Sequence, residues 1–212
     1  MSLQAEIKTA LTALSKSMAA GRLAHAYLIV GPPRGAATAL AEAILGLLYC
    51  TAAAAACPCR TCAVCRQLKQ HIHPDLLWVE PQKKTRTIQK EQVQQIQEHV
   101  LQTSLVGGWK AIVLLHAERL HEMAANKLLK TLEEPPPRCL FLLLSGNPEF
   151  LPSTIISRCQ RLTLGGSAAP DDAALKAAVA QIVTSAFEPD LLGGLAYARR
   201  IQDLLEDLRA TI

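Results

Sequence analysis

GPPRGAAT, at residues 31–38, is the segment that indicates the fold most strongly. A phosphate-binding loop has the pattern G-x-x-x-x-G-K-[ST], in which backbone N–H groups hold phosphates at the start of a helix and the lysine reaches the β- and γ-phosphates. Here Ala36 and Ala37 occupy the positions of the second glycine and the lysine. Because an alanine methyl group carries no charge, the sequence predicts the frame of such a loop without its phosphate chemistry.

The segments on either side of this loop favour a strand-loop-helix unit. Residues 26–30, AYLIV, predict a buried strand, and residues 36–48 predict a helix. The loop positions that would face a nucleotide are Gly31, Pro32, Pro33, Gly35 and Thr38. We expect no ATP to be bound there, although the remaining frame is compatible with weak nucleotide binding. On this segment alone, an ordinary Pro-Gly turn between a strand and a helix is the alternative.

The composition is that of a globular protein with a sizeable core. The chain has 212 residues, of which 50% are hydrophobic, enough for one domain or one domain with a small appendage. No run reaches the roughly 18 apolar residues that a membrane-spanning helix needs. The N-terminal region spaces its apolar residues at helical intervals, unlike a secretory signal, so we expect a soluble, cytoplasmic protein. The net charge of +4 permits contact with nucleic-acid phosphates without requiring it.

Five short apolar runs predict the strands of a parallel α/β sheet. They lie at residues 26–30, 76–79, 111–115, 140–144 and 161–164. Segments of helical or loop character separate them. A stripe formed by Ile88, Val93, Ile96 and Val100 predicts one helix. Residues 124–133 predict another, which ends before three consecutive prolines.

The character of the sequence changes near residue 166. The run GGSAAP at residues 165–170 predicts a linker. The remainder is rich in Ala and Leu, contains no strand candidate and predicts two or three helices. We therefore divide the chain into an α/β domain at residues 1–165 and a small helical segment at residues 166–212.

Four of the seven cysteines crowd into a short segment in the pattern C-x8-C-x2-C-x2-C; they are Cys50, Cys59, Cys62 and Cys65. Four thiolates at such spacing are typical of a tetrahedral zinc site, which would be structural because no coordination position stays open for water. A C-x-x-C redox pair and ordinary buried thiols are the alternatives. Cys57 is too close to Cys59 to be a further ligand. For His71 and His73 we favour a polar or capping role over metal binding.

Four segments in order carry a resemblance to a known family. They are GRLAHAYLIVGPP at 21–33, the four-cysteine insertion, NKLLKTLEEPP at 126–136 and SRC at 157–159. Together they resemble the bacterial clamp-loader subunits of the DNA polymerase III holoenzyme, which are AAA+ proteins, over residues 5–164. The resemblance implies an AAA+ P-loop-type parallel sheet flanked by helices, a zinc-binding insertion at 50–65 and a partial helical lid at 166–212. The family usually adds a helical collar domain, for which these residues do not suffice.

The resemblance also shows which catalytic groups are replaced. Active members carry an Asp-Glu pair at the end of the strand before the NKLLKTLEEPP helix, and those positions hold Leu115 and His116 here. Leucine cannot help to hold Mg²⁺, and neutral imidazole is a poor substitute for the carboxylate that polarises water. For His116 we favour a local hydrogen bond at the strand end. Thr38 remains at the position of the magnesium-binding hydroxyl, but without its partners we interpret it as a helix-start residue.

One catalytic element of the family is retained. In clamp-loader subunits the arginine of the SRC motif, here Arg158, is presented to the ATP of the neighbouring subunit. A guanidinium is always charged and can neutralise charge that develops on the γ-phosphate, so Arg158 would act in trans. The alternative is a surface arginine that pairs with a nearby carboxylate. Ser157 and Cys159 are interpreted as residues that set the local backbone.

The combination predicts an ATPase-inactive clamp-loader subunit that donates an arginine finger. The implied partners are gamma- or tau-type and delta-type subunits and, through the complex, the sliding clamp and primed DNA. Two functions compete with this prediction. One is an active gamma- or tau-type AAA+ ATPase. The other is a stand-alone zinc-stabilised nucleic-acid-binding module, for which Lys83, Lys84 and Arg86 form a short basic cluster.

Overall fold

The computed structural model describes residues 3–52, 58–82, 84–106 and 108–164. The predicted linker and the predicted helical segment at 166–212 lie outside these residues, as do Cys57 and Lys83. Within the described part of the chain, no helix combines the length and the apolar character needed to cross a membrane.

A five-stranded parallel sheet forms the centre of the fold. Its strands are β1 (Ala26–Val30), β2 (Leu76–Val79), β3 (Lys110–Leu114), β4 (Cys139–Ser145) and β5 (Gln160–Thr163). The strand order is β2-β3-β4-β1-β5, and every neighbouring pair is parallel. The α/β prediction is therefore confirmed, and the predicted strand positions agree with the observed ones within one residue at each end.

Helices cover both faces of this sheet. They are α1 (Leu3–Ala19), α2 (Ala36–Tyr49), α3 (Ala63–Lys69), α4 (Lys90–Leu101), α5 (Glu122–Glu133) and α6 (Ser153–Ile156), with 3₁₀ turns at Ala117–Arg119 and Pro148–Phe150. Strand β4 shows the two-sided burial clearly. Phe141 and Leu143 pack toward α4 and α5, whereas Leu142 and Leu144 pack toward α1 and α2. Parallel strands read as continuous apolar runs because both of their faces are buried in this way.

One predicted helix begins later than its apolar stripe suggests. Ile88 lies two residues before α4 and pairs with Leu120 in an isolated parallel bridge. It is nevertheless fully buried in the same cluster as Val93. The N-cap of this helix is Gln89. Ile88 and Val93 lie at the positions of a hydrophobic staple, in which the residue before the N-cap packs against the fourth residue of the helix. The stripe therefore marks a buried face correctly but not the helix start.

Asp75 fixes the segment that leads into β3. Its fully buried carboxylate accepts hydrogen bonds from the Leu105 N–H at 2.8 Å, the Val106 N–H at 3.0 Å and the Ser104 hydroxyl at 2.8 Å. Burial alone would raise the pKa of Asp75, but these bonds and the nearby Lys110 ammonium outweigh it and hold that pKa below its usual range. The charged form is therefore the one that orders this segment.

Candidate functional site

The GPPRGAAT segment joins β1 to α2, the strand-loop-helix arrangement that its flanks predict. Strand β1 lies beside β4, so the carboxyl ends of the two strands meet at one edge of the sheet. The Gly31 N–H donates to the Ser145 carbonyl at 3.0 Å, and a Cβ on Gly146 would lie 3.4 Å from Pro33. Open α/β sheets bind ligands at this edge, so the loop occupies a position suited to a ligand.

Donors at the start of the helix are already bonded within the loop. The Gly35 N–H and the Ala37 N–H donate to the Pro32 carbonyl at 3.1 and 3.2 Å. The Thr38 hydroxyl donates to the Pro33 carbonyl. In a working phosphate-binding loop the backbone N–H groups point at phosphate oxygens and the hydroxyl binds Mg²⁺. In this chain two N–H groups and the hydroxyl instead stabilise a turn within the loop.

The position that lysine holds in the working motif faces the core. Ala37 is fully buried and packs in the cluster of α1, α2 and the sheet. The cation of the loop is instead Arg34, which sequence reasoning passed over because its position in the motif is unrestricted. Arg34 is 70% exposed and approaches Glu80 at 3.4 Å. An exposed pair of this kind contributes about 0–1 kcal/mol, so Arg34 is held only loosely at the loop surface.

The two residues at the end of β3 provide no carboxylate. Leu115 is buried, and its N–H donates to the Val79 carbonyl at 2.9 Å. His116 has a left-handed backbone with a φ of 55°, and its Nδ1 lies 3.0 Å from Glu118 Oε1. The predicted local hydrogen bond of His116 is thus present. Its partner Glu118 is a nearly buried acid that sequence reasoning missed, because it lies in a 3₁₀ turn rather than on the strand.

The four predicted cysteines come together in space. Their Sγ atoms all lie within 4.8 Å of one another, a group that can hold a metal ion. Cys59 and Cys65 have sulfurs 3.9 Å apart. Helix α3 starts directly after Cys62, whose sulfur accepts the Cys65 N–H at 3.3 Å, while the Cys62 N–H donates to the Cys59 sulfur at 3.4 Å. N–H groups directed at sulfur stabilise thiolates, the form that binds metal.

Two effects act in opposite directions on these thiols. The Cys62 N–H and further hydrogen bonds lower the pKa of Cys59 to about 6. Burial, followed by the neighbouring Cys62 sulfur, raises the pKa of Cys65 to about 12. Because like charges at this separation repel, four thiolates need a bound cation to neutralise them. Four sulfurs within 4.8 Å of one another can hold such a cation.

The two nearby histidines are occupied elsewhere, in agreement with the polar role that we favoured. The His71 ring stacks on Trp78 with a centroid separation of 3.7 Å, and its Nε2 lies 3.4 Å from Glu42. His73 is buried, with its ring centroid 4.5 Å from that of Tyr49. Neither residue belongs to the group of four sulfurs.

Arg158 lies just beyond α6 on the protein surface. One of its terminal nitrogens, Nη2, is 2.7 Å from Glu133 Oε1, and Nη1 donates to the Thr154 carbonyl at 2.9 Å. Its side chain is 35% exposed. Within the single chain, therefore, the arginine pairs with a carboxylate. Ser157 also bonds the Thr154 carbonyl, at 3.1 Å, while the half-buried Cys159 packs against the core.

The cysteine-containing insertion approaches helix α2 closely at Gly46. A Cβ on Gly46 would lie 3.1 Å from Pro58 Cγ and closer still to Pro58 Cβ. Pro58 precedes Cys59 directly, so this contact sets where the second half of the cysteine cluster starts. The absence of a side chain at residue 46 lets the insertion approach the helix.

We predict that Gly46→Ala destabilises the protein by about 1–3 kcal/mol, because the clash with Pro58 outweighs the roughly 0.5–1 kcal/mol that alanine adds to a helix. Urea unfolding and metal analysis of the purified variant measure the effect and its consequence for the cluster. Gly46→Ala should also lower the metal content, and adding Pro58→Gly, which removes the clashing ring, should restore it. A Gly46→Ala protein that is more stable than the wild type and keeps its metal would contradict the contact.

Comparisons with known proteins agree with this architecture. A family model described as "DNA polymerase III, delta subunit" matches residues 7–167. The DNA polymerase III subunit delta' of Pseudomonas aeruginosa is 42% identical over 148 residues, which are 69% of this chain and 45% of that protein. The delta' subunit of Bacillus subtilis is 37% identical over 149 residues, 70% of this chain and 44% of that protein. The chain spans less than half the length of either relative.

A more distant relative and a solved structure point the same way. The DNA polymerase III subunit tau of Escherichia coli is 34% identical over 154 residues, 73% of this chain and 24% of that protein. The crystal structure of a DNA polymerase III gamma subunit-related protein from Thermotoga maritima superposes with a TM-score of 0.52 at 21% identity. It covers 95% of this chain and 56% of that one, and it supports the fold. The chain therefore belongs to the DNA polymerase III delta' family of clamp-loader subunits.

Proposed function

We propose that this chain is an ATPase-inactive, delta'-like part of a clamp loader. In this role it helps to place the sliding clamp on primed DNA and donates Arg158 to ATP that a neighbouring gamma- or tau-type subunit binds. The partners would also include a delta-type subunit. The observation that carries the proposal is the loop between β1 and α2, where Ala37 is buried and the Thr38 hydroxyl bonds Pro33.

Three contributions to phosphoryl transfer are absent from the residues around this loop. A lysine that neutralises the phosphates is replaced by Ala37, and the residues at the β3 end that would hold Mg²⁺ and polarise water are Leu115 and His116. Catalysis of this reaction depends almost entirely on positioning and electrostatic stabilisation. Because these contributions act together, restoring one of them leaves the others missing.

Arg158 is suited to act on a different molecule. Its guanidinium is charged at every physiological pH and its planar fork matches phosphate oxygens. About a third of its side chain is exposed, and it is anchored by packed elements on both sides, α5 and α6. An arginine supplied from a neighbouring subunit stabilises charge on the γ-phosphate without requiring a nucleotide in its own chain.

We propose zinc as the ion for the cysteine cluster. A tetrahedral zinc with Zn–S bonds of about 2.3 Å places its sulfurs about 3.8 Å apart, and Cys59 and Cys65 are separated by 3.9 Å. Soft thiolates favour zinc over hard cations. With Cys50 and Cys62 as the remaining ligands, four protein ligands leave no position for a reactive water, so the ion would stabilise the insertion.

We predict one zinc ion per chain in freshly purified protein. Cys59→Ser should lose the metal and lower the melting temperature by at least roughly 5 °C, because metal binding stabilises only the folded insertion. Elemental analysis and thermal unfolding with and without a chelator measure both effects. Cys159→Ala, a thiol outside the cluster, should keep its zinc. A wild-type protein without metal, or with a chelator-insensitive melting temperature, would remove the zinc site.

We predict that the isolated chain does not hydrolyse ATP above background in the presence of Mg²⁺. Ala37→Lys should not restore turnover, since Leu115 and His116 still supply no carboxylate and the new ammonium starts from a buried position. A coupled phosphate-release assay is the measurement. Hydrolysis by the wild-type chain that disappears in Thr38→Ala would instead make this protein an active ATPase of the gamma or tau type.

We predict that Arg158→Ala slows ATP turnover of a reconstituted loader by at least about tenfold while the variant still folds and assembles. The physical reason is the loss of the cation that faces the γ-phosphate of the neighbour. Size-exclusion chromatography confirms assembly, and steady-state kinetics gives the turnover. Arg161→Ala, an exposed arginine three residues away, is the matched control and should leave turnover unchanged. Equal turnover of Arg158→Ala and wild type would make Arg158 an ordinary surface residue.

A further inference from the structure

We propose that Glu133 is a positioning residue for Arg158, and that it holds the guanidinium in the orientation needed to meet a neighbour's phosphate. This inference rests on the proposed trans role of Arg158. It joins two motifs that lie 25 positions apart in the chain, the end of NKLLKTLEEPP and the SRC segment. The observation behind it is the 2.7 Å contact between Arg158 Nη2 and Glu133 Oε1.

Three contacts hold the guanidinium, and about a third of the Arg158 side chain stays exposed. Nη1 donates to the Thr154 carbonyl at 2.9 Å and approaches the Ser157 hydroxyl at 3.4 Å, while Nη2 donates to Glu133. A guanidinium has five N–H donors in a fixed plane, so these contacts leave further donors for a ligand. The side chain is 35% exposed, which allows such a ligand to approach. Glu133 thus fixes the plane of Arg158 without occupying all of its donors.

Both ends of the pair are anchored by buried residues. Glu133 is the last residue of α5, directly after Leu132, which is fully buried beneath the sheet. Arg158 follows α6, whose Ile155 is buried in the same cluster. The Cα positions of the two partners are therefore set by the core. The core leaves only the rotamers of the two side chains undetermined, and the contact between them selects those rotamers.

The helix itself does not favour a carboxylate at this position. The C-terminus of a helix carries partial negative charge, which makes an acidic side chain in the last turn unfavourable. Arg158 compensates for that repulsion at Glu133. Since both side chains are more than a third exposed, solvent screens the pair and it adds little to folding stability. Orientation of the arginine is the effect that this contact can produce.

An oriented arginine changes catalysis in a particular way. A free arginine side chain loses rotamer freedom when it contacts a phosphate. An arginine that is already hydrogen-bonded to neighbouring groups has lost that freedom beforehand. The benefit appears where the contact is strongest, in the transition state. Loss of the contact with Glu133 should therefore lower kcat of the neighbouring ATPase and leave KM for ATP nearly unchanged.

The experiment uses the full-length protein reconstituted with an ATP-hydrolysing gamma- or tau-type subunit. We expect Glu133→Ala to lower kcat for ATP about fivefold with KM within about twofold of wild type. Glu133→Gln, which keeps an oxygen acceptor for Nη2, should retain kcat within about twofold. Glu134→Ala removes the adjacent exposed acid, which is not among the groups that Arg158 contacts, and should behave as wild type.

A double-mutant cycle separates positioning from a general structural effect. If Glu133 acts through Arg158, Glu133→Ala should cause no further loss in the Arg158→Ala background. Wild-type kcat in Glu133→Ala, an increase in kcat, or an equal loss in both backgrounds would each overturn the inference while leaving the arginine finger intact. No effect of Arg158→Ala itself would overturn the finger and the positioning role together. Thermal unfolding of every variant shows that each is folded.

Discussion

Burial of both faces of the five-stranded parallel sheet is the constraint on which the other features depend. It requires helices on each side, and it brings the carboxyl ends of β1 and β4 together, where the Gly31 N–H bonds the Ser145 carbonyl. The same packing fixes the ends of α5 and α6 and so brings Glu133 to Arg158. The loop, the end of β3 and the arginine are positioned by the packed layers on the two faces of the sheet rather than by contacts with each other.

The sheet could be predicted from the sequence because its buried parallel strands are continuous apolar runs. The cysteine cluster could be predicted because the spacing of its four thiols is typical of a tetrahedral metal site, and four sulfurs within 4.8 Å bear out the spacing argument. The start of α4 was misplaced, since Ile88 is buried through a bridge to Leu120 that depends on residues far along the chain. The spacing of apolar residues indicates which residues are buried, but not which backbone hydrogen bonds those residues make.

The site contains features that no pattern in the sequence specifies. The donors of the loop bond its own Pro32 and Pro33 carbonyls, a result of the local backbone path rather than of residue type alone. The partner of Arg158 lies on another helix, so a nearby carboxylate entered the sequence analysis only as the alternative to the arginine finger and could not be identified as Glu133. Glu118 was missed because it lies in a 3₁₀ turn rather than on the strand. The absence of a charged residue at position 37 is visible in the sequence. The hydrogen bonds that the loop makes instead are visible only in the folded structure.

In the proposed loader, one chain supplies the arginine and a different chain splits the nucleotide. The most direct test is ATP turnover by a reconstituted loader in which the phosphate-binding lysine of the gamma- or tau-type subunit is replaced and this chain is wild type. We expect turnover at background, because Ala37, Leu115 and His116 leave this chain without the lysine and carboxylates that hydrolysis needs. Turnover that persists, and that Thr38→Ala in this chain then abolishes, would contradict it.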